Sequence, residues 1–206
     1  GARTEVQKKI RNHAPKSFEL SLECFREALS RSRAFVETSG FASVPENEEL
    51  EVLETPEFMS HLIPFSAYIG PEKTSGQQKG TYLLTRSPAG DSARYSYADI
   101  INSAIHEGYP GHHLQLAAQN LHPGRLRSFC ENLELIEGWA TYCQNQIREL
   151  GFETSPESLF AHATEEVFNA ARLITDVNLQ TRTWSFNEAV SFLMEQTKID
   201  NNSALA

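Results

Sequence analysis

The sequence predicts a mostly α-helical protein that carries a small β-hairpin or sheet as an insert. Apolar residues recur at helical spacing over residues 1–40 and again over residues 98–206. Between them, residues 41–97 hold short strand-like runs separated by prolines and glycines. The chain has 206 residues, 40% of them apolar, which suffices for one domain with a substantial core.

The first two parts of this arrangement follow from local patterns. A helix is predicted over residues 4–38 from the near-helical spacing of Phe18, Leu22, Phe25, Leu29 and Phe35. In the insert, the runs ELEVLE (residues 49–54) and GTYLLT (residues 80–85) predict two strands. After Tyr97 the pattern becomes helical again, so the insert is flanked by helices on both sides.

The helix predicted over residues 127–150 has the most regular pattern. Its apolar residues alternate spacings of four and three: Phe129, Leu133, Ile136, Ala140, Cys143, Ile147 and Leu150. Gly151 is suited to end this helix. The next helix is predicted to begin at Ser155 with Pro156 in its first turn, and to bury Phe160, Thr164, Val167, Ala171 and Ile174. A last helix, residues 185–199, is predicted to bury Phe186, Val190, Leu193 and Met194.

The charge balance argues against two classes of partner. With 18 basic and 27 acidic residues the formal net charge is −9, which disfavours binding to nucleic acid or to an anionic membrane surface. No apolar run is long enough to span a membrane. The three cysteines form no close pair, which favours a reducing compartment such as the cytoplasm; a periplasmic or secreted location is the alternative if a signal precedes Gly1.

The stretch HEGYPGHHLQ, residues 106–115, is the strongest candidate for a functional site. It begins like the H-E-x-x-H helix of zinc peptidases, in which two histidines one turn apart bind the metal and the glutamate polarises a water. Four residues after His106, however, stands Pro110, and the next histidines are His112 and His113. In an unbroken helix His106 and His113 would lie roughly 10 Å apart along the axis, too far to chelate one ion easily.

The same stretch cannot form a regular helix. Pro110 lacks an N–H group and clashes with the preceding carbonyl groups, and the flanking glycines permit backbone conformations closed to other residues. A bulge must absorb two extra residues to bring His112 onto the face of His106, and three to bring His113 there. We therefore predict His112 as the second ligand, with His113 supporting the site or pointing along a cleft to substrate.

Glu137 is the best candidate for a third ligand. It lies beside the apolar stripe and precedes Gly138, which costs a helix interior roughly 1 kcal/mol against Ala and so predicts a packing or functional reason. Two histidines, a glutamate and an open fourth position form a hydrolytic zinc arrangement. The alternative for the histidine stretch is a solvated loop in which the His-Glu pair occurs by chance. The alternative for Glu137 is a solvent-exposed helix residue without a ligand role.

Three motifs occur in order: HEGYPGHHLQ, then EGWATY about thirty residues later, then ARLITD. Together they resemble the bacterial family catalogued as domain of unknown function 885, over about residues 55 to 198. Members of that family look like distant relatives of the zincin metallopeptidases whose third ligand is glutamate. The resemblance implies a zincin-like helical core, a Zn²⁺ ion bound by His106, His112 and Glu137, and Glu107 as the general base.

The chain departs from the family pattern at two points. Gln180 stands where members commonly carry a histidine, four residues after the aspartate of the Arg-Leu-x-x-Asp segment. Members also run to several hundred residues, so we expect this chain to be part of a longer helical protein. Such a part should have little hydrolytic activity alone, because a cleft that lacks one wall cannot position substrate.

Three further residues are candidates for contact with substrate. Arg172 and Asp176 lie four residues apart on one predicted helix and so share a face. They form either a surface ion pair or part of a cleft in which Arg172 binds a substrate carboxylate. Tyr142, one turn beyond Gly138, could donate a hydrogen bond to a developing oxyanion; the alternative is a tyrosine with its hydroxyl at the rim.

The expected function is zinc-dependent hydrolysis of peptide or amide bonds, by a water that Glu107 activates. The partner would then be a peptide or a small amide. The alternative is a catalytically inactive domain of zincin-like shape, which uses the histidine cluster to bind a ligand or partner. Gln180 favours this alternative, because a histidine that assists catalysis elsewhere would be missing here.

Overall fold

A computed structural model describes residues 2–86, 95–199, 201 and 204 of the chain. In these residues the helices are α1 (Ala2–Asn12), α2 (Phe18–Ser39), α3 (Tyr97–Ser103), α4 (His112–Asn120), α5 (Arg125–Phe129), α6 (Leu133–Glu149), α7 (Pro156–Gln180) and α8 (Phe186–Thr197). The strands are β1 (Glu48–Glu54), β2 (Ser66–Ile69) and β3 (Gln78–Leu84). A 3-10 turn covers Glu57–Met59 and a π-helical segment covers Ala104–Gly108. The prediction of a mostly helical chain with a small β insert is confirmed.

The chain forms two compact units. Residues 10–154 make up the larger unit, which contains α2 to α6 and all three strands. Residues 1–9 and 155–206 make up the smaller unit, in which α7 packs against α8. None of the described helices is long and apolar enough to cross a membrane.

The insert is a mixed sheet with strand order β1-β3-β2. β1 runs parallel to β3, with Glu48 opposite Gln78, and β2 runs antiparallel to β3, with Ser66 opposite Leu84. β1 and β3 coincide with the two predicted runs, whereas the four-residue β2 is too short to show an alternating pattern. Residues 87–94 of the predicted insert lie outside the described residues.

The helix predicted over residues 4–38 is in fact two helices. The break falls around Pro15, which cannot donate a backbone hydrogen bond within a helix. Ser17 then caps α2, because its hydroxyl accepts a hydrogen bond from the backbone N–H of Leu20 at 3.2 Å.

The helix predicted over residues 127–150 is also broken. Asn132 begins α6 as its N-cap and accepts a hydrogen bond from the N–H of Leu135 at 2.7 Å. Of the predicted apolar stripe, the central residues Ala140, Cys143 and Ile147 are buried, while Phe129, Leu133 and Leu150 are exposed. Periodicity identifies the apolar face of a helix but not how much of that face a neighbouring element covers.

The start of α7 is confirmed and its buried face is not. Ser155 caps the helix and Pro156 occupies its first turn, as predicted. Of the predicted buried face only Ala171 is buried, whereas Val167 and Ile174 are exposed; the other buried residues are Ser158, His162 and Thr175. In α8, Val190 is buried as predicted and Phe186 is exposed.

The core of the larger unit fixes the element that carries the first histidine. Ala104 and Ile105 are buried in the same apolar cluster as Phe25 and Leu29 of α2 and Tyr82 of β3. This burial orients the π-helical segment. The next two residues of that segment are only half-buried, so they face the margin of the core.

Candidate metal centre

The backbone leaves regular helix just before the second histidine. The N–H of Tyr109 donates to the carbonyl of Ala104 at 3.1 Å, and the N–H of Gly111 donates to the carbonyl of Ile105 at 3.0 Å. These bonds reach back five and six residues, where an α-helix reaches back four. The predicted bulge is therefore present, and α4 begins anew at His112.

Gly111 is required by this geometry. A Cβ atom at that position would lie 1.8 Å from the carbonyl oxygen of His106 and 2.4 Å from that of Ile105. No side chain tolerates such an approach to backbone, so glycine alone permits the chain to turn this tightly.

Two side chains of α6 hold the turn in place. The indole Nε1 of Trp139 donates to the carbonyl oxygen of Pro110 at 2.8 Å, and the thiol of Cys143 approaches the same oxygen at 3.6 Å. The turn between the histidines is therefore tied directly to the helix that carries Glu137.

The structure brings His106, His112 and Glu137 together. One ligand atom from each lies within 4.8 Å of the others, and no other group of three His, Cys, Asp or Glu side chains in the described residues meets this condition. Glu137 Oε2 lies 3.5 Å from His106 Nε2 and 3.6 Å from His112 Nε2. Ligand atoms at a tetrahedral zinc ion, with bonds of about 2.1 Å, are about 3.4 Å apart, which is close to these two distances.

The hydrogen bonding of His106 and the pKa of His112 both suit a metal ligand. Nδ1 of His106 donates a hydrogen bond to Oε1 of Gln144 at 3.2 Å, which leaves Nε2 directed toward Glu137. Burial, reinforced by the charge of His106, lowers the pKa of His112 to about 4. His112 is therefore neutral at pH 7, as metal binding requires. Its buried Nδ1 has no hydrogen-bond partner among the described residues.

The site is closed on the histidine side and open on the carboxylate side. The side chains of His106 and His112 are 19% and 9% exposed, whereas that of Glu137 is 61% exposed. A ligand from solvent can therefore reach the position that the three residues leave free.

Glu107 follows His106 on the π-helical segment and is half-buried. Burial is the main cause that raises the pKa of Tyr68, and the negative charge of Glu107 is the second. The ring of Tyr68 in turn stacks on His112, with centroids 6.3 Å apart. The carboxylate of the predicted general base is thus within electrostatic reach of a residue that borders the candidate metal position.

His113 occupies a different position from the one that substrate binding would need. Its side chain is fully buried, with Nε2 2.7 Å from Oε2 of Glu48 and Nδ1 3.0 Å from the hydroxyl of Tyr68. Both ring nitrogens are therefore taken by protein groups. His113 offers no surface to a substrate, which corrects the substrate-binding expectation and leaves its supporting role.

The other predicted contact residues lie on exposed surfaces. Tyr142 is exposed and packs with Phe41 and Trp139, with ring centroids 6.5 and 6.0 Å away. Arg172 and Asp176 are exposed on α7, which belongs to the smaller unit. The Arg172 guanidinium lies 5.6 Å from the centroid of its neighbour Phe168. The catalytic role of Tyr142 and the substrate-binding roles of Arg172 and Asp176 stay predictions.

Two findings were not foreseen from the sequence. Gly138 has no heavy atom within 4 Å of the position a Cβ would take, so close packing does not explain it. Gln144 was overlooked, although it lies seven residues after Glu137 and therefore on the same helix face. That spacing was the signal that could have identified it.

Comparison with known proteins gives a fold and a family. A solved structure described as "the putative lipoprotein from Colwellia psychrerythraea" matches 93% of this chain with a TM-score of 0.70 and 23% sequence identity, which shows a shared fold. The match covers 33% of that protein, so the present chain spans about a third of its length. No functionally curated protein matches the sequence. The family model described as "Bacterial protein of unknown function (DUF885)" matches residues 3–205, and the chain therefore belongs to that family.

Proposed function

We propose that this chain carries the metal site of a zinc-dependent hydrolase of peptide or amide bonds, built on a zincin-like core. The observation that supports the proposal is the convergence of His106, His112 and Glu137 at distances suited to one tetrahedral ion. The open side next to Glu137 leaves room for a water or a substrate carbonyl.

A zinc ion held by these residues would polarise a carbonyl and make water more acidic. Glu107 would accept a proton from the attacking water at its carboxylate and deliver it to the departing amine. Gln144 would keep the ring of His106 in the orientation that directs Nε2 to the site. The neutral state of His112 would keep its Nε2 available at physiological pH.

A catalytically inactive binding domain is the second candidate. Gln180, at the last position of α7, supports it because family members commonly carry a histidine there. In that case the same three residues would bind a metal or ligand without turnover.

Zinc content and peptide turnover together test the proposal. The protein, stripped with a chelator and incubated with Zn²⁺, should retain one ion per chain. Glu137→Ala should abolish retention, whereas Glu134→Ala, an exposed glutamate one turn earlier on α6, should not. Absence of stoichiometric zinc in the parent, or full retention in Glu137→Ala, would reject the metal site.

Glu107→Gln separates the two candidates. For a hydrolase, this variant should keep its zinc and lose cleavage of a mixed peptide library by about a hundredfold or more. The assay should use the chain and a longer parent protein side by side, because the chain spans only about a third of the solved relative. Zinc-loaded protein that cleaves nothing in either form would favour the binding domain.

We also propose an extracytoplasmic location. The relative from Colwellia psychrerythraea is described as a lipoprotein, and this outweighs the weaker indication from the unpaired cysteines. Fractionation of cells that express the native gene, with antibody detection, should place the protein outside the cytoplasm; recovery in the cytoplasmic fraction would refute this.

A further inference from the structure

A buried glutamate connects three elements behind the candidate metal centre. Glu48, the first residue of β1, has a fully buried carboxylate. Its Oε1 accepts a hydrogen bond from Nε of Arg33 on α2 at 2.8 Å. Its Oε2 accepts hydrogen bonds from the hydroxyl of Tyr109 and from Nε2 of His113 at 2.7 Å. Glu48 is therefore hydrogen-bonded both to the turn after His106, through Tyr109, and to the first helical turn of α4, through His113.

The ring of His113 is held on all sides. Besides Glu48, the hydroxyl of Tyr68 bonds its Nδ1 at 3.0 Å, and the ring of Tyr109 meets it edge to face at 5.4 Å. On β3, Gly80 lies so close that a Cβ there would be 2.6 Å from Nδ1 of His113. The ring cannot turn without displacing backbone or breaking its buried hydrogen bond to Glu48.

This arrangement selects between the two adjacent histidines. Neighbouring residues on a helix point about 100° apart, so fixing His113 toward Glu48 fixes His112 in a different direction. In that direction the Nε2 of His112 lies 3.6 Å from Glu137. We infer that Glu48 is a positioning residue of the metal centre: through His113 and Tyr109 it sets the rotation of the first turn of α4 and so makes His112 the ligand. This inference rests on the proposed function.

The chemistry of the pocket requires a carboxylate. All three groups that meet Glu48 are hydrogen-bond donors, and a carboxylate is the side chain that only accepts. Glutamine has nearly the same shape but replaces one oxygen with an NH₂ group, which would face either Arg33 or the pair of Tyr109 and His113. Facing Arg33, it would set donor against donor in a buried site; facing Tyr109 and His113, it would make at least one of them accept instead of donate. Either way, the hydrogen bonds that fix His113 would rearrange without a change in volume.

Glu48→Gln is the deciding variant, and Glu49→Gln is its matched control. Glu49 is the next residue on β1, is exposed, and pairs only distantly with Lys79 at 3.8 Å. We would measure the Zn²⁺ dissociation constant by competition with a chromogenic chelator and the visible absorption spectrum of the Co²⁺-loaded protein. Glu48→Gln should weaken Zn²⁺ binding by about tenfold or more and alter the Co²⁺ bands, because the ligand geometry changes. Glu49→Gln should match the parent in both measurements.

The outcomes separate this inference from the proposed function. A parent that takes up no Zn²⁺ would overturn both. A parent that binds Zn²⁺, together with a folded Glu48→Gln variant of the same affinity and Co²⁺ spectrum, would overturn the inference alone. If Glu48→Gln does not fold, Tyr109→Phe decides, because it removes only one hydrogen bond from Glu48. It should weaken Zn²⁺ binding by about threefold and shift the Co²⁺ bands; unchanged values would overturn the inference.

Discussion

Gly111 and His106 meet through their backbones, so closely that a Cβ on Gly111 would lie 1.8 Å from the carbonyl oxygen of His106. This contact closes the turn that separates the two histidines. It places residues that are six apart in sequence on one side of the site, where Glu137 lies within 3.6 Å of both. The tight backbone turn thus compensates for the two extra residues between His106 and His112 relative to the H-E-x-x-H spacing.

Gly111→Ala should disrupt both folding and metal binding. The added methyl group must displace backbone, which should lower the free energy of unfolding by about 1–3 kcal/mol or more. Gly138→Ala is the control, because nothing lies within 4 Å of the new methyl group and alanine favours a helix by roughly 1 kcal/mol. Urea unfolding of the metal-free variants measures the difference. Equal stability of the two variants would show that the turn is not as tight as described.

Alanine substitution at the two adjacent histidines should affect different properties: stability at His113 and Zn²⁺ binding at His112. In metal-free protein, His113→Ala should cost about 3 kcal/mol of unfolding free energy, because it removes a buried hydrogen-bond donor to the Glu48 carboxylate. His112→Ala should cost about 1 kcal/mol or less, since its Nδ1 is buried without a described partner. Zn²⁺ titration should show that His112→Ala no longer binds. A folded His113→Ala variant that loses Zn²⁺ while His112→Ala retains it would reverse the ligand assignment.

Gln144→Met should weaken Zn²⁺ binding by about tenfold, because it removes the hydrogen bond that orients His106. Gln146→Met is the matched control: its side chain bonds Glu149 on the same helix at 3.0 Å and makes no described contact with the site. Competition with a chelator gives both affinities. Equal affinity in the two variants would remove Gln144 from the site.

The sequence predicted the parts of the fold that depend on local patterns. The runs of β1 and β3, the start of α7 at its Ser-Pro cap, and the bulge at Pro110 all follow from the residues themselves. The break before α6 was missed because one asparagine at the N-cap interrupts an apolar stripe that looks continuous. Exposure of Phe129 was missed because burial depends on the neighbouring elements.

The residues of the candidate site likewise fall into those that the sequence could predict and those that it could not. His106, His112 and Glu137 could be proposed because their residue types and order match a known chemistry. Glu48 could not, because it lies in an acidic run that looks like an exposed strand, and its partners come from three distant segments. Only the packing of β1 against α2 and α4 gives this glutamate a role.

The metal-free protein should lose stability as the pH falls from about 6.5 to about 4. In the unfolded chain His112 titrates near 6.5, whereas burial and the charge of His106 lower its pKa in the folded protein to about 4. Between these values the unfolded state binds more protons, so this contribution is complete above pH 6.5 and disappears toward pH 4. The loss is at most about 3 kcal/mol.

His112→Ala removes the titrating group, and the carboxylates shared by both proteins cancel in the difference. Urea unfolding at half-unit intervals, with a chelator present, should therefore show a steeper decline for the parent than for His112→Ala. Parallel curves would show that His112 is solvated, and the closed histidine side of the site would have to be abandoned.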